Sequence, residues 1–242
     1  MARVFITGSS DGLGQLAATQ LVSEGHQVVL HARNEERARQ ARKKVPKAFD
    51  VLTADLASME ETKELALKAN DLGVFDAIIH NAGVYQASGQ VIFAVNTLAP
   101  YILTCLIHKP RRLIYLSSGM HRHGDANLRQ LDPSRVSYSD SKLHVNILTM
   151  AVARKWPDVY VNAVDPGWVP TKMGGAGAPD SLEQGYRTQT WLAASDDPRA
   201  KVTGGYFYHQ KIKEGRPEAH DIAIQEELLA ICEMVSGVAF HR

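Results

Sequence analysis

The sequence lacks an excess of either charge and is poor in cysteine. Its 242 residues include 27 basic and 26 acidic side chains, so the net charge is +1 at pH 7. Such a balanced chain has no electrostatic means of attracting nucleic acid or an anionic membrane surface, and we expect neither as a partner. The two cysteines, Cys105 and Cys232, have no spacing typical of a metal site or disulfide framework, which favours two free, buried thiols.

Long apolar runs, repeats and low-complexity linkers are also absent. No run reaches the roughly 18 apolar residues that a membrane span needs, so we expect no membrane span. Only three residues precede the apolar run that starts at Val4, too few for a signal peptide, and the expected location is cytoplasmic. With 45% hydrophobic residues, the chain is large enough to form one α/β domain over residues 1–242.

Strand-like and helix-like segments alternate along the chain. Seven short apolar segments are typical of strands: Arg3–Thr7, Gln27–Ala32, Ala48–Thr53, Phe75–His80, Arg112–Ser117, Val159–Val164 and Gly205–His209. Amphipathic segments lie between and after them: Leu13–Glu24, Glu35–Lys44, Ser58–Asp71, Gln90–Ile107, Tyr138–Lys155, Ser181–Ala194 and Glu218–Val235. This order predicts an α/β fold with a doubly wound, mostly parallel, seven-stranded sheet and helices on both faces.

The segment Thr7–Gly14 places glycines where a strand passes into a helix. It follows the apolar residues Val4-Phe5-Ile6 and precedes the helix-like residues 16–22. Glycines there let the backbone turn tightly and approach a pyrophosphate, and the following helix offers unpaired N–H groups to that anion. We therefore predict that a nucleotide binds at Gly8, Ser10, Asp11, Gly12, Leu13 and Gly14.

Polar residues or glycines follow six of the seven predicted strands. In a doubly wound sheet, ligands bind beyond the carboxyl ends of the strands, near the point where the strand order reverses. The residues at these ends are Thr7-Gly8, Arg33, Asp55, Asn81-Ala82-Gly83, Ser117-Ser118 and Asp165-Pro166-Gly167. We expect them to form one site.

The end of the second strand favours NADP(H) over NAD(H). NAD-binding folds often have an acidic residue there for the ribose hydroxyls, whereas this chain has Ala32 followed by Arg33. An arginine can bind a 2′-phosphate with two hydrogen bonds; the alternative is that Arg33 is only a solvated residue before a helix. Asp11 opposes the choice by its negative charge, for which Arg37 would compensate. NADP(H) is the preferred cofactor, with NAD(H) as the alternative.

Asp55, which follows the third strand, has two interpretations. It is placed to accept a hydrogen bond from the amino group of adenine, with Leu56 beside it in the cofactor site. It could instead cap the helix that begins near Ser58, because aspartate is common at helix N-caps. Both interpretations stay open on the sequence alone.

Tyr138 and Lys142 are spaced i and i+4 and therefore share one face of a helix. The pKa of a free tyrosine, about 10, is too high for ready proton exchange at neutral pH. A nearby ammonium group and an oxidised nicotinamide would both lower the pKa of Tyr138, as a general acid/base requires. Taken alone, this pair is weak evidence for catalysis, since ordinary pairs on helix surfaces have the same spacing.

Together these motifs resemble the short-chain dehydrogenase/reductase family, in its compact subfamily. The first loop has the spacing G-x-x-x-G-x-G, and residues 80–83 are similar to the family's Asn-Asn-Ala-Gly except at His80. Asn96, the serine pair 117–118, the Tyr138/Lys142 pair and residues 166–171 follow in the family order. Residues 117–121 and 138–146 look most like the retinol-dehydrogenase-like branch. The resemblance implies a three-layer Rossmann fold.

The resemblance also implies a role for each matched residue. Tyr138 would donate the proton in carbonyl reduction or accept it in alcohol oxidation, and Lys142 would hold the nicotinamide ribose and lower the pKa of Tyr138. Ser118 would hydrogen-bond the substrate oxygen, Ser117 would be structural, and Asn96 would anchor a water that joins Lys142 to solvent. Further cofactor contacts would come from Asn81, Ala82, Gly83, Tyr138, Lys142, Pro166, Gly167, Val169 and Thr171.

The sequence thus predicts an NADP(H)-dependent short-chain dehydrogenase/reductase that interconverts a carbonyl and an alcohol on a small, lipophilic molecule. The alternatives are a catalytically silent NADP-binding sensor or regulatory protein, and a lyase or epimerase on the same scaffold. We expect no metal, because His121 and His123 have no third ligand at useful spacing. A homo-oligomer, either a dimer or a tetramer, stays open.

Two further predictions concern the substrate side. The glycine-rich segment Lys172–Pro179 follows no strand and is predicted to be a mobile lid over the substrate. An apolar pocket is predicted from six large side chains: Tyr85, Met120, Trp168, Met173, Tyr186 and Trp191.

Overall fold

A computed structural model describes residues 1–240 of the chain, and one sheet of eight strands forms its centre. The strand order is β3-β2-β1-β4-β5-β6-β7-β8, and all neighbours are parallel except β7 and β8. The strands are β1 (Arg3–Ile6), β2 (Gln27–Ala32), β3 (Asp50–Thr53), β4 (Ala77–His80), β5 (Arg112–Leu116), β6 (Tyr160–Asp165), β7 (Gly205–Tyr208) and β8 (Lys211–Lys213). The predicted doubly wound α/β architecture is confirmed.

Helices cover both faces of the sheet. They are α1 (Gly12–Ser23), α2 (Glu35–Lys44), α3 (Met59–Asp71), α4 (Gly89–Ile92), α5 (Ala99–Leu106), α6 (Tyr138–Lys155), α7 (Leu182–Ala194) and α8 (Ile222–Ser236). The apolar sides of α1, α2 and α7 form a core with one face of the sheet, and those of α3, α5, α6 and α8 form a core with the other. The layers are therefore helix, sheet and helix.

The continuous apolar runs in the strands are explained by burial on both faces. In β4, Ala77 and Ile79 pack into the core beside α1 and α7, and Ile78 points into the core beside α3 and α6. Helix α6 is enclosed on all sides, since every residue from Ser141 to Val152 is buried. A helix so enclosed holds its side chains rigidly relative to the sheet.

The sheet has one strand more than the seven predicted, because β8 adds to its edge as the antiparallel partner of β7. The two-residue turn between them, His209 and Gln210, has φ values of 48° and 60°. Such turns are usually marked by Asn-Gly or Asp-Gly, which this chain lacks there. The strand is also only three residues long and exposed, so it has no apolar pattern.

The predicted helix Gln90–Ile107 is divided into three parts. A π-helical turn, Phe93–Leu98, separates α4 from α5. π-Helical turns are often found at functional sites, and this one contains Asn96.

The same stretch, Gly89–Leu106, is the one segment within residues 1–240 that is long and apolar enough to cross a membrane by length and composition. However, 67% of it is buried inside the protein. A core helix of a soluble protein meets the same criteria, so its composition alone does not indicate a membrane span.

Burial lowers the pKa of four buried histidines, and for three of them the shift is large. Burial lowers the pKa of His31 to about 4, that of His80 to about 3 and that of His144 to about 4. An unfolded histidine has a pKa of about 6.5. The unfolded chain therefore binds protons that the folded chain cannot, and stability is lost as the pH falls from 6.5 towards 4.

We expect the free energy of unfolding to be lower at pH 5 than at pH 7 by ~2 kcal/mol for each of these histidines. Carboxyl groups are mostly ionised in both states over this interval and contribute little. Urea denaturation at the two pH values measures the difference, and His80→Asn should remove about one histidine's share of it. Equal unfolding free energies at pH 5 and pH 7 would contradict this explanation.

Candidate active site

The glycine loop after β1 is packed too closely for larger residues. Gly8 has a φ of +63°, and a Cβ atom there would lie 2.7 Å from the Cα of Ala82; one on Gly14 would lie 2.7 Å from the carbonyl oxygen of Gly8. Asn81 holds the loop from β4, since its Nδ2 donates to the carbonyls of Thr7 and Gly8 at 3.0 and 3.1 Å. The loop is therefore a rigid backbone surface at the start of α1.

His31 fixes the same loop from β2. The backbone N–H of Gly8 donates to Nδ1 of His31 at 2.9 Å, and Nε2 lies 3.0 Å from the carbonyl of Ala54. Nδ1 must therefore accept, while Nε2 carries the hydrogen and donates it to Ala54. A neutral ring in this one tautomer joins the ends of β1, β2 and β3.

A cavity of about 600 Å³ opens above these strand ends. Most of the predicted cofactor-binding residues line it: Gly8, Ser10, Asp11, Gly12, Leu13, Arg33, Asp55, Leu56, Asn81, Ala82, Gly83, Tyr138, Lys142, Pro166 and Thr171. Three others do not line it: Gly14 packs beneath the loop, whereas Gly167 and Val169 line a second cavity beside it. The expected convergence of strand ends is thus found in the structure.

Asp11 is surrounded by cations. Its carboxylate lies 2.5 Å from Nζ of Lys172, 3.4 Å from Nζ of Lys44 and 3.9 Å from the guanidinium of Arg37. The hydrogen bond from Lys172 is the main reason that the pKa of Asp11 falls to about 2. Its carboxylate also accepts the N–H of Gly12 and caps α1. The negative charge that opposes an anionic ligand is therefore more than balanced locally.

Asp55 does not cap α3, so that interpretation was wrong. The N-cap is Ser58, whose hydroxyl accepts the N–H of Glu61. Asp55 instead accepts the N–H of Ala57 at 3.0 Å in a local turn, and its own N–H donates to Glu61. Its place in the cavity wall beside Leu56 leaves the predicted adenine contact open.

Tyr138 and Lys142 lie on the first turns of α6, where a capping box of Ser137 and Asp140 begins the helix. Lys142 is only 3% exposed, and its Nζ donates to the carbonyl of Leu116 at 2.7 Å. This ammonium nitrogen lies 5.4 Å from the centre of the Tyr138 ring. The pair therefore shares one helix face, as its spacing predicts.

The pKa values of this pair reflect burial. Burial lowers the pKa of Lys142 to about 8, against the opposing influence of the Asp165 carboxylate. Burial raises the pKa of Tyr138 to about 12, and a hydrogen bond with Ser118 acts in the opposite direction. In the protein alone the phenol therefore keeps its proton at neutral pH.

Asn96 lies beside the lysine and holds the chain after β4. Its Oδ1 accepts the N–H of Val84 at 2.8 Å, and its Nδ2 donates to the carbonyl of Val84 and the hydroxyl of Ser141. A Cβ atom on Gly83 would lie 3.4 Å from both Asn96 Oδ1 and Lys142 Nζ. The Asn96 side chain has a structural role, and its predicted role in a proton relay stays a prediction.

The two serines after β5 point in different directions. The hydroxyl of Ser117 is buried and donates to the carbonyl of Lys142 at 3.1 Å, a structural contact. The hydroxyl of Ser118 accepts the N–H of Met120 at 3.2 Å and also hydrogen-bonds Tyr138. Ser118 is therefore the serine that reaches the phenol.

A second cavity of about 850 Å³ adjoins the first at Tyr138. Four of the six side chains predicted for an apolar pocket line it and are partly exposed: Tyr85, Met120, Trp168 and Met173. The prediction was wrong for Tyr186 and Trp191, which pack against the core between α7 and the sheet. Apolar spacing on a helix does not reveal whether its apolar side faces the sheet or a ligand cavity.

The predicted lid, Lys172–Pro179, closes one side of both cavities. The sulfur of Met173 lies 4.0 Å from the hydroxyl of Tyr138, and the indole N–H of Trp168 donates to the carbonyl of Gly174 at 2.8 Å. These contacts place the segment over the phenol. Its mobility stays a prediction.

Residues 2–106 match the family model for short chain dehydrogenases. The chain is 48% identical to the uncharacterized oxidoreductase AN7799 of Emericella nidulans and 42% identical to the short-chain dehydrogenase chyC of Penicillium rubens. Both comparisons cover 98% of this chain and 98% of the relative. The chain belongs to the short-chain dehydrogenase family. The predicted family and enzyme class are thereby confirmed.

More distant relatives include human retinol dehydrogenase 14, which is 28% identical over 97% of this chain and 86% of its own. Among solved structures, a protein from Mycobacterium paratuberculosis has a TM-score of 0.81 at 22% identity and covers 100% of this chain and 96% of its own. A blue fluorescent protein from a metagenomic library, in complex with NADPH, has a TM-score of 0.73 at 19% identity, covering 86% and 95%. These structures share the fold.

Two parts of the site in this short-chain dehydrogenase were not predicted from its sequence. Lys44 and Lys172 join Asp11 from distant segments, and no spacing relates them. His31 could have been noticed as a polar ring within the apolar strand β2, but its partners lie on neighbouring strands. Among residues 1–240, no group of three or more His, Cys, Asp or Glu side chains is placed to hold a metal ion.

Proposed function

We propose that this protein is an NADP(H)-dependent oxidoreductase that interconverts a carbonyl and an alcohol on a small, lipophilic molecule. One observation carries the proposal: Tyr138 lines both cavities, with the ammonium group of Lys142 buried beneath it. A phenol at the junction of a nucleotide-shaped groove and an apolar pocket is placed to exchange a proton between them.

The groove fits a dinucleotide. Backbone without side chains at Gly8 and at Gly12, where the first turn of α1 begins, suits a pyrophosphate. Lys142 and residues 166–171 would hold the nicotinamide end, and the bound cofactor would supply or accept the hydride. The protein's contribution is orientation and control of the proton.

Tyr138 would donate its proton to the carbonyl oxygen during reduction and take it back during alcohol oxidation. Ser118, which hydrogen-bonds the phenol, would donate to the same oxygen and stabilise its developing charge. Lys142 would favour the ionised phenol through its positive charge. Tyr138 would thus transfer the proton, Ser118 would stabilise the substrate oxygen, and Lys142 would stabilise the ionised phenol.

The adenosine side favours NADP(H) over NAD(H). Arg33 and Arg37 line the groove beyond β2, and Lys44 and Lys172 balance Asp11 nearby. A cluster with more positive than negative groups suits a 2′-phosphate. The NADPH complex of the metagenomic blue fluorescent protein, which shares the fold, is consistent with this choice.

The substrate side favours a lipophilic molecule. The cavity wall exposes aromatic and thioether groups of Tyr85, Met120, Trp168 and Met173. Large apolar groups left exposed around a cavity commonly mark the place where a ligand buries its own apolar surface. A small ketone or aldehyde with an apolar body would satisfy both the wall and the phenol.

A thermal-shift titration tests the cofactor. We expect NADPH to stabilise the protein at lower concentration than NADH. Arg33→Ala should weaken NADPH binding roughly 10- to 100-fold and leave NADH binding unchanged, because a charge-assisted contact to phosphate is lost. Arg39→Ala is the matched control, because Arg39 lies on α2, soon after Arg33 in the chain, but does not line the groove. Stabilisation by NADH at lower concentration than NADPH would overturn the preference.

Replacement of Tyr138 by Phe tests the chemistry on a panel of lipophilic ketones and aldehydes. Turnover should fall by a factor on the order of 10² to 10⁴ or more, since the proton donor is removed, while NADPH still binds. Tyr160→Phe, on the outer end of β6, should keep full turnover. Retained turnover in Tyr138→Phe contradicts the mechanism, and NADPH binding without turnover of any compound by the wild type would favour the silent regulatory protein.

A further inference from the structure

A buried polar link joins the ends of β5 and β6 beneath the substrate cavity. His121 follows β5 in the short turn Gly119–His123 and is fully buried. Its Nδ1 lies 2.7 Å from the carbonyl oxygen of Ser118 and 3.3 Å from the hydroxyl of Tyr206 on β7. The rings of His121 and Tyr206 pack with their centres 4.8 Å apart.

The link continues from Tyr206 to the end of β6. The Tyr206 hydroxyl donates to one carboxylate oxygen of Asp165 at 3.1 Å, and the other oxygen accepts the N–H of Gly167 at 2.9 Å. Asp165 and Gly167 flank Pro166 and lead into the segment proposed to hold the nicotinamide. The two strand ends that carry the proposed oxygen-binding and cofactor-binding groups are thereby tied together.

The hydrogen positions in this link follow from its partners. A carbonyl can only accept, so Nδ1 of His121 must carry the hydrogen. Its Nε2 is buried without a hydrogen-bond partner, as an unprotonated nitrogen can be, and burial lowers the pKa of His121. Tyr206 is then free to use its own hydrogen for Asp165. One arrangement of hydrogens is therefore consistent with all the hydrogen bonds of the link.

The link holds the backbone of Ser118, the serine whose hydroxyl reaches Tyr138. The carbonyl of Ser118 accepts both the Nδ1–H and the backbone N–H of His121, at 2.7 and 3.0 Å. Next to it, a Cβ atom on Gly119 would lie 3.2 Å from the Asp165 carboxylate, so the two strand ends are in close contact. Neither His121 nor Tyr206 reaches Tyr138 in a hydrogen bond, so both act through Ser118 and Asp165.

We propose that His121 and Tyr206 are positioning residues, which join the Ser118 carbonyl to the Asp165 carboxylate and so fix the Ser118 hydroxyl relative to the cofactor-binding segment. The proposal rests on the proposed function, because it concerns the geometry of the same carbonyl reduction. Reaction rates are sensitive to displacements of about 1 Å at the reacting groups. Loss of either hydrogen bond should therefore lower kcat more than it weakens binding.

The test compares kcat, KM and the Kd for NADPH in His121→Phe, His121→Asn and Tyr206→Phe. His121→Phe and Tyr206→Phe should each lower kcat roughly 10- to 100-fold, with the Kd for NADPH unchanged. His121→Asn should recover much of the rate, because its amide N–H can donate to the same carbonyl. Tyr115→Phe is the control, since it removes a buried hydroxyl that bonds Thr104 instead, and it should keep full kcat.

An unchanged kcat in Tyr206→Phe, which removes a single oxygen atom, would overturn the proposal even if His121→Phe failed to fold. So would an equal loss of kcat in Tyr206→Phe and Tyr115→Phe, since that would reflect only a weakened core. The proposed function is judged separately by wild-type turnover and its loss in Tyr138→Phe. Active wild type with fully active positioning variants would therefore reject the positioning role alone.

Discussion

The buried ammonium group of Lys142 constrains the whole site. A buried charge is costly unless hydrogen bonds and opposite charge compensate for it. Here the carbonyl of Leu116 accepts its hydrogen bond, and the Asp165 carboxylate favours its charged form. These groups meet only because α6 packs against β5 and β6 and begins at Tyr138, directly after its cap Ser137. The phenol and the ammonium are therefore held by one rigid helix rather than by loops.

Two environments of different charge meet at Tyr138. Around the glycine-loop cavity, Asp11 is balanced by three cations from two segments, Arg37 and Lys44 on α2 and Lys172 far along the chain, which leaves the groove favourable to an anion. Around the second cavity, the carboxylates of Asp165 and Asp180 accept backbone N–H groups, and four aromatic rings and two thioethers line the wall. This contrast favours an anionic ligand in one cavity and an apolar one in the other.

Sequence reasoning succeeded where the signal is local. The glycine spacing of the first loop and the four-residue spacing of Tyr138 and Lys142 depend on neighbouring residues, and both could be read directly. Contacts between distant segments could not be predicted: Lys172 pairs with Asp11 across 161 positions. The eighth strand was missed because its turn contains no glycine. Tyr186 and Trp191 were misplaced because helical periodicity does not identify the packing partner.

In the proposed mechanism, Lys142 and bound oxidised cofactor together lower the pKa of the Tyr138 phenol into the range where it can exchange a proton. The most direct measurement is the tyrosinate absorbance titration of the wild type minus that of Tyr138→Phe, with and without saturating NADP⁺. Without cofactor, the ionisation of Tyr138 should have a pKa of about 12. With cofactor, we expect a pKa for Tyr138 below the value of about 10 for an ordinary tyrosine. A pKa for Tyr138 that stays at its cofactor-free value would contradict it.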